Sequence, residues 1–354
     1  MRIPVFIEKG DTIGFIAPSY GCNIEPYRSG FQNAQKKLQT LGYELQLGPN
    51  CYEGKGIGIS NTPEKCGEEV NTFFTKEPGK VIFSCGGGEL MCEILDYVDF
   101  QGIKEAEPKW YVGYSDNTNL TFLLATLCDT AAIYGPCAPA FGMEPWHPSL
   151  EDLLGILTGE KNQVAGYPLW ERESMKDEEH PLEPYHVTEP RILKTYPEYD
   201  NISLEGRLLG GCMDCLGKLV GTNYDKVAAF AEKYREDGII WYMEACELNV
   251  MDIRRTLWQL EHAGWFRYVK GFLFGRPQCH GEELFGLDQY EAVMGILGKY
   301  QVPVLMDLDI GHIPPMMPIV NGAYARVATR ENDITITYSL TDRERKEEGK
   351  NAKI

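Results

Sequence analysis

Short apolar runs alternate with helical patterns through the first third of the chain, and that alternation leaves few folds open. The runs are Thr12–Ala17, the alternating strand Glu44–Leu47, Val81–Ser84 and Trp110–Gly113. Between them lie a polar helical stretch over Tyr27–Leu41, one begun by Asn61-Thr62-Pro63 with Pro63 at the favoured first position, and one running through Leu95. Strands separated by helices run parallel, because each helix carries the chain back to the same edge, so the fold class expected is α/β with a doubly wound parallel sheet. Ligands of such sheets bind at the carboxyl ends of the strands. Two turns stand there: Cys85-Gly86-Gly87-Gly88-Glu89 after the third run and Tyr114-Ser115-Asp116 after the fourth.

Leu120, Leu123, Leu124 and Leu127 follow at helical spacing, which puts Ser115 on a strand-to-helix turn. A serine held there projects its hydroxyl beside the unpaired amides of the first helical turn, and those amides can stabilise an oxyanion. An ordinary helix cap by Ser115 or Asp116 fits the same pattern. A serine nucleophile needs a base, and six histidines are available. His147, His180 and His186 fall in loops and His262 closes a helix, while His280, after Arg276-Pro277-Gln278-Cys279, stays open. His312 is best placed, in Asp309-Ile310-Gly311-His312-Ile313-Pro314-Pro315 just past an apolar strand, although a loop histidine without a role would look alike. Glu244, at the end of the apolar strand Ile239–Met243, could fix the imidazole tautomer, with Glu247 as runner-up. The oxyanion donors would be the Asp116 amide and one from Gly87 or Gly88. Cys85 is a rival nucleophile of amidotransferase type. Cys212-Met213-Asp214-Cys215 has redox or metal spacing, but with no second pair and no histidine nearby in sequence the two read as small core residues.

Between Gly159 and Asn201 the periodicity is lost and Pro, Glu, Lys and Tyr crowd in, which reads as a connection with a long excursion over the site. The expected division is therefore 1–158, 159–201 and 202–354. In the last part Gly206–Leu219 reads as a turn and short helix, Phe272–Phe274 and Val304–Met306 as strands, and Ala323–Ala328 with Asp333–Tyr338 as an antiparallel pair. Thr341–Ile354 reads as a frayed, charged end. Eleven scattered cysteines suit a reducing, cytoplasmic setting better than a disulfide framework. A formal charge of −18 disfavours nucleic acid and anionic membranes as partners. No apolar run reaches the ~18 residues of a membrane span, and Met1–Gly10 lacks a signal-peptide core.

With Ser115, Glu244 and His312 in that order, the sequence resembles the family of serine peptidases that contains the LD-carboxypeptidases and the microcin C immunity peptidase. The resemblance rests on KGDTIGFIAPS at Lys9–Ser19, Val81–Glu89, GYSDNTNL at Gly113–Leu120, GRLLGG at Gly206–Gly211, Met243–Glu247 and GHIPPMMPIVNG at Gly311–Gly322. It implies an N-terminal Rossmann-like or flavodoxin-like domain carrying the nucleophile, a smaller C-terminal α/β domain supplying Glu and His, a homodimer, and no metal or cofactor. It further implies an acyl-enzyme mechanism in which Ser115 attacks, His312 moves the proton and Glu244 orients His312, with Asp116 and Gly88 amides on the oxyanion. Gly87, Glu89, Trp170 and Tyr185 would then meet the substrate. That substrate is first a murein tetrapeptide losing a C-terminal D-residue, and second a peptidyl-nucleotide amide, whose base Trp170 or Tyr185 could stack on. LD-carboxypeptidases usually carry Arg-Gly-Gly-Tyr-Gly where this chain has Cys85–Glu89, and Gly-Gly-Asn-Leu where it has Gly210-Gly211-Cys212-Met213. The Gly-Gly-Glu and the long excursion look more like the immunity branch. Two readings of other classes stand beside this one, a Cys85-dependent amidotransferase-like enzyme and a non-catalytic two-domain binding protein.

Overall fold

The computed structural model describes residues 1–198 and 201–341. The charged end expected to fray falls, from residue 342 on, outside the described residues. Five strands, β1 Thr12–Ile16, β2 Glu44–Leu47, β3 Val81–Ser84, β4 Trp110–Gly113 and β5 Ala132–Tyr134, pair in parallel in the order β2-β1-β3-β4-β5. That order is the flavodoxin-like one, whose ligand crevice opens between β1 and β3. The intervening helices form where the sequence signals them. Tyr27–Thr40 buries Phe31, Ala34 and Leu38 on one face. Pro63–Thr75 starts at Pro63, with the Thr62 hydroxyl accepting the Lys65 amide. The stretch through Leu95 is the 3₁₀ turn Met91–Tyr97 instead of an α-helix.

The remaining strands are β6 Gln163–Ala165, β7 Leu169–Glu171, β8 Val187–Pro190, β9 Lys194–Tyr196, β10 Ser203–Cys212, β11 Ile239–Glu244, β12 Val269–Gly275, β13 Val304–Leu308, β14 Ile319–Asn321, β15 Tyr324–Arg330 and β16 Asp333–Ser339. Parallel β10 to β13 form the centre of a second sheet ordered β6-β16-β15-β10-β11-β12-β13-β9. The segment 159–201 is thus structured at both ends, lending β6 and β9 to the two edges of that sheet, and β7 pairs with β8 between them. Such short runs carry too few residues to show a period. Gly206–Gly211, expected to turn, is the interior of β10. A side chain at Gly210 would fall 1.7 Å from the Tyr242 carbonyl oxygen, so glycine here marks close backbone approach. β14, from the C-terminal part, leaves the second sheet and pairs antiparallel with β5 in the first.

The helix Thr118–Thr126, which follows β4, is buried at every position from Thr118 to Ala125. A helix covered on every side lies between two layers, and its polar residues need partners there. Here Leu120 and Leu124 pack with first-sheet residues, while Phe122, Leu123 and Ala125 pack with Leu209 and Trp241 of the second. Each of these leucines and Phe122 contributes roughly 1.5–3 kcal/mol by leaving water. Two hydrogen bonds fix the seam: the Thr118 hydroxyl accepts the Cys212 amide at 2.9 Å, and Asn321 donates to the Thr121 carbonyl at 2.7 Å. Among the described residues no helix is long and apolar enough to cross a membrane.

Candidate active site

β4 ends at Gly113, Tyr114 is extended, and Ser115 turns to φ +62°, a left-handed conformation that serine rarely adopts. Surrounding bonds hold it there. Asn117 donates to the carbonyls of Tyr114 at 3.0 Å and Gly86 at 2.7 Å, and accepts from the Tyr111 hydroxyl, so one side chain ties the Ser115 elbow to the glycine turn. A Cβ on Gly113 would fall 2.8 Å from the Asn117 side chain, which leaves glycine as the residue that fits. The Ser115 amide donates to the Tyr134 hydroxyl at 3.1 Å. Neither Ser115 nor Asp116 caps a helix. Asp116 is buried and accepts from the Ser19 hydroxyl at 2.6 Å and the Met91 amide at 2.9 Å, and burial pushes its carboxyl up to about 6.

Glu244 closes β11 with its side chain out of solvent. Its Oε2 lies 2.8 Å from His312 Nδ1, and its Oε1 accepts from the Tyr134 hydroxyl at 2.5 Å. Gly311, at φ +99°, lets the His312 loop approach, since a Cβ there would fall 2.5 Å from Glu244. The loop is pinned from below by buried Asp309, which pairs with Arg276 and accepts the Tyr167 amide at 2.7 Å. Burial alone would lower the His312 pKa. The charge of Glu244 and hydrogen bonds with Cys246 and Glu244 outweigh it and hold the imidazole well above the ordinary histidine value. Glu244 makes the contact for which Glu247 was the runner-up. His280 faces Asp307 and the Trp170 ring.

Ser115 stands between two hollows. One, of about 170 Å³, is lined by Gly87, Tyr114, Lys176, Tyr185 and His312 among others; the second, of about 330 Å³, by Ser115, Gly88, Glu89, Asp116 and Cys212 among others. A Cβ on Gly87 would lie 3.2 Å from Ser115 Oγ, whereas one on Gly88 would lie 2.0 Å from Ser19 Oγ. Gly87 therefore leaves the space beside the hydroxyl, and Gly88 leaves the space that Ser19 fills. Tyr185 reaches the first hollow, its ring 5.5 Å from that of His147. Trp170 reaches neither. The β7–β8 pairing turns its indole to the Pro190 carbonyl at 3.1 Å, with Arg276 over its ring, so it does not serve the hollow beside Ser115 as expected. Cys85 is fully buried, and burial with hydrogen bonding among Cys22, Cys51 and Cys85 pushes its thiol well up. A thiol kept protonated is a poor nucleophile, which argues against the amidotransferase-like alternative. Three residues escaped the sequence reading. Tyr134 ends a strand of only three residues, Asn117 reads as one more helix-start polar residue, and Lys176 lies where no period marks its direction.

Comparison with known proteins follows the same two halves. The family description "LD-carboxypeptidase N-terminal domain" matches residues 13–135, and "LD-carboxypeptidase C-terminal domain" matches residues 205–327. The Microcin C7 self-immunity protein MccF of Escherichia coli is 26% identical, covering 95% of this chain and 96% of its own. The murein tetrapeptide carboxypeptidase of Pseudomonas aeruginosa is 22% identical over 78% of this chain and 81% of its own. Among solved structures, MccF in complex with aspartyl sulfamoyl adenosine superposes with a TM-score of 0.79 at 22% identity, covering 97% of this chain and all of that one, a likeness of fold.

Proposed function

The chain belongs to the LD-carboxypeptidase family and is a serine peptidase, and from that premise we propose that it removes the C-terminal residue of a short peptide through an acyl-enzyme on Ser115. The observation that carries the reading is one continuous chain of hydrogen bonds: Ser115 amide to Tyr134 hydroxyl, Tyr134 hydroxyl to Glu244, and Glu244 to His312. Ser115 Oγ attacks the scissile carbonyl as His312 takes its proton at the nitrogen facing away from Glu244. Glu244 holds the other ring nitrogen and offsets the charge of the imidazolium. The amides of Asp116 and Gly88 receive the oxyanion in the space Gly87 leaves open. The imidazolium then protonates the departing amine, and water repeats the sequence on the ester.

Lys176 is the one lysine or arginine lining the hollow with His312 among the described residues, and it is the group we assign to the substrate's terminal carboxylate. Burial lowers its pKa, so its ammonium gains from an anionic partner. The first substrate is a murein tetrapeptide ending in D-alanine. A peptidyl-nucleotide amide is the second, favoured by the aromatic walls Tyr27, Tyr114 and Tyr185 and by a solved relative bound to aspartyl sulfamoyl adenosine. Eleven free thiols support a reducing compartment, the cytoplasm. The family resemblance supports a homodimer.

The test is incubation of wild type and Ser115→Ala with each substrate, read by mass spectrometry. Loss of D-alanine from the tetrapeptide with wild type alone supports the first reading, and cleavage of the sulfamoyl adenosine alone supports the second. Equal cleavage by both proteins would sink the serine mechanism.

A further inference from the structure

The Cys-X-X-Cys motif at Cys212 to Cys215 has no histidine near it in sequence, yet the fold brings one. Cys212 is the last residue of β10 and lies directly across the ladder from Glu244, the last residue of β11. Glu244 in turn bonds His312. One ligand atom from each of Cys212, Glu244 and His312 lies within 4.8 Å of the others. We infer that a zinc-like divalent cation binds among these three side chains and shuts off the serine by taking its histidine.

The donor set fits such an ion. Zinc bonds of about 2.0–2.3 Å in a tetrahedron separate ligand atoms by roughly 3.3–3.8 Å, so the widest separation in the cluster needs to close by about 1 Å while Glu244 Oε2 and His312 Nδ1, at 2.8 Å, part slightly. Two more thiols stand ready for a fourth position. Cys246 lies beside His312, and Cys215 approaches the Ser115 carbonyl at 3.7 Å. Asp214 accepts from the amides of Cys246 and Glu247 at 3.0 Å each, which holds Cys246 beside the site, and the bond it accepts from the Cys212 thiol at 3.2 Å is given up when that thiol ionises. The hollow leading in carries Glu89, Asp116, Asp214 and Glu247 against Lys218 alone, so its field draws cations. Its thiols select a zinc-like ion over magnesium or calcium.

On binding, Cys212 gives up its thiol proton to solvent and becomes the thiolate ligand, while the imidazolium of His312 releases one proton to solvent and gives the freed ring lone pair to the metal. Ligation at Nε2 removes the acceptor for the Ser115 proton. Ligation at Nδ1 breaks the bond to Glu244 and leaves the remaining ring proton on Nε2, which then has no lone pair to offer. Either way the hydroxyl keeps its proton.

The inhibitory half rests on the peptidase reading above; the binding half does not, and the experiment separates them. Reduced full-length protein is titrated with Co²⁺ as an optical probe and then with Zn²⁺, and hydrolysis is followed in parallel. The expected result is one Co²⁺ per chain with a thiolate-to-metal charge-transfer band, displaced by Zn²⁺. Cys212→Ser should lose the band and need over ~100-fold more Zn²⁺ for half-inhibition, each protein being compared with its own metal-free rate. Cys212→Asn, which restores the residue of the usual family motif, serves if the serine variant fails to fold. No band in wild type, or a band unchanged in both variants, overturns the site. A band without inhibition in an active enzyme overturns the switch, and a band in a protein that cleaves neither substrate upholds the site while removing both proposed substrates.

Discussion

The Tyr134 hydroxyl donates to Glu244 at 2.5 Å, joining the last residue of a strand in one sheet to the last residue of a strand in the other. The same oxygen accepts the Ser115 amide. Tyr134→Phe therefore removes a bond to a charged group, worth about 1.5–3 kcal/mol, and strands a backbone amide. Expected in steady-state kinetics is a kcat reduced roughly 10–100-fold with KM nearly unchanged. A changed KM with normal kcat would contradict the bridging role.

Ser115 sits at φ +62°. For a residue with a Cβ that conformation costs roughly 1–2 kcal/mol, somewhat more than the ~0.5–1 kcal/mol of chain entropy that glycine loses. Ser115→Gly should be at least as stable as wild type to urea while losing at least ~10⁴-fold in kcat. A marked loss of stability would show that the elbow is unstrained.

Neighbouring glycines should respond differently. Gly87→Ala places a methyl 3.2 Å from Ser115 Oγ and should cut kcat with little change in stability. Gly88→Ala forces apart the Ser19 and Asp116 pair, whose hydroxyl-to-carboxylate bond is 2.6 Å long, and should destabilise by about 1–3 kcal/mol. Thermal melts beside kinetic constants would tell the two apart.

His312 must be neutral to accept a proton, and its pKa is held well above the ordinary value of about 6.5. The rate constant kcat/KM should therefore rise with pH through a midpoint above that value. Stability runs the other way. The ion pair with Glu244 stabilises fully below about pH 6.5 and that contribution fades as pH climbs through the raised pKa of the folded protein. Glu244→Gln should lower the kinetic midpoint of whatever activity survives and flatten this part of the stability profile.

Lys176→Met removes the ammonium assigned to the substrate carboxylate. KM should rise about 10-fold or more with kcat held, and an amidated substrate should lose the distinction between the two proteins.

Three strands of the first sheet, β1, β3 and β4, are legible because each is a continuous apolar run closed by a glycine, serine or proline, a signal that survives without context, and β2 shows instead by its alternation Glu-Leu-Gln-Leu. Ser115, Glu244 and His312 could be nominated for the same reason, each following such a run. β10 was not legible. Its Gly210 and Gly211 answer to neighbours more than thirty residues away in the case of Tyr242 and more than ninety in the case of Thr118. The direction of Trp170 is illegible on the same ground, since an aromatic in an aperiodic stretch gives no direction, and only pairing with β8 sends it toward Arg276. Tyr134 could have been suspected from the alternation, which needs one more strand after the Ser115 helix.

β14 begins seven residues after His312 and pairs Ile319, Val320 and Asn321 with Tyr134, Ile133 and Ala132. The stretch that presents the base is thereby stitched to the strand that braces the nucleophile. Parting the two halves like a clamshell would tear that ladder, so turnover cannot depend on a hinge between them. A severed C-terminal half would take with it the outer strand of the N-terminal sheet, and the two pieces should regain activity only when they refold together.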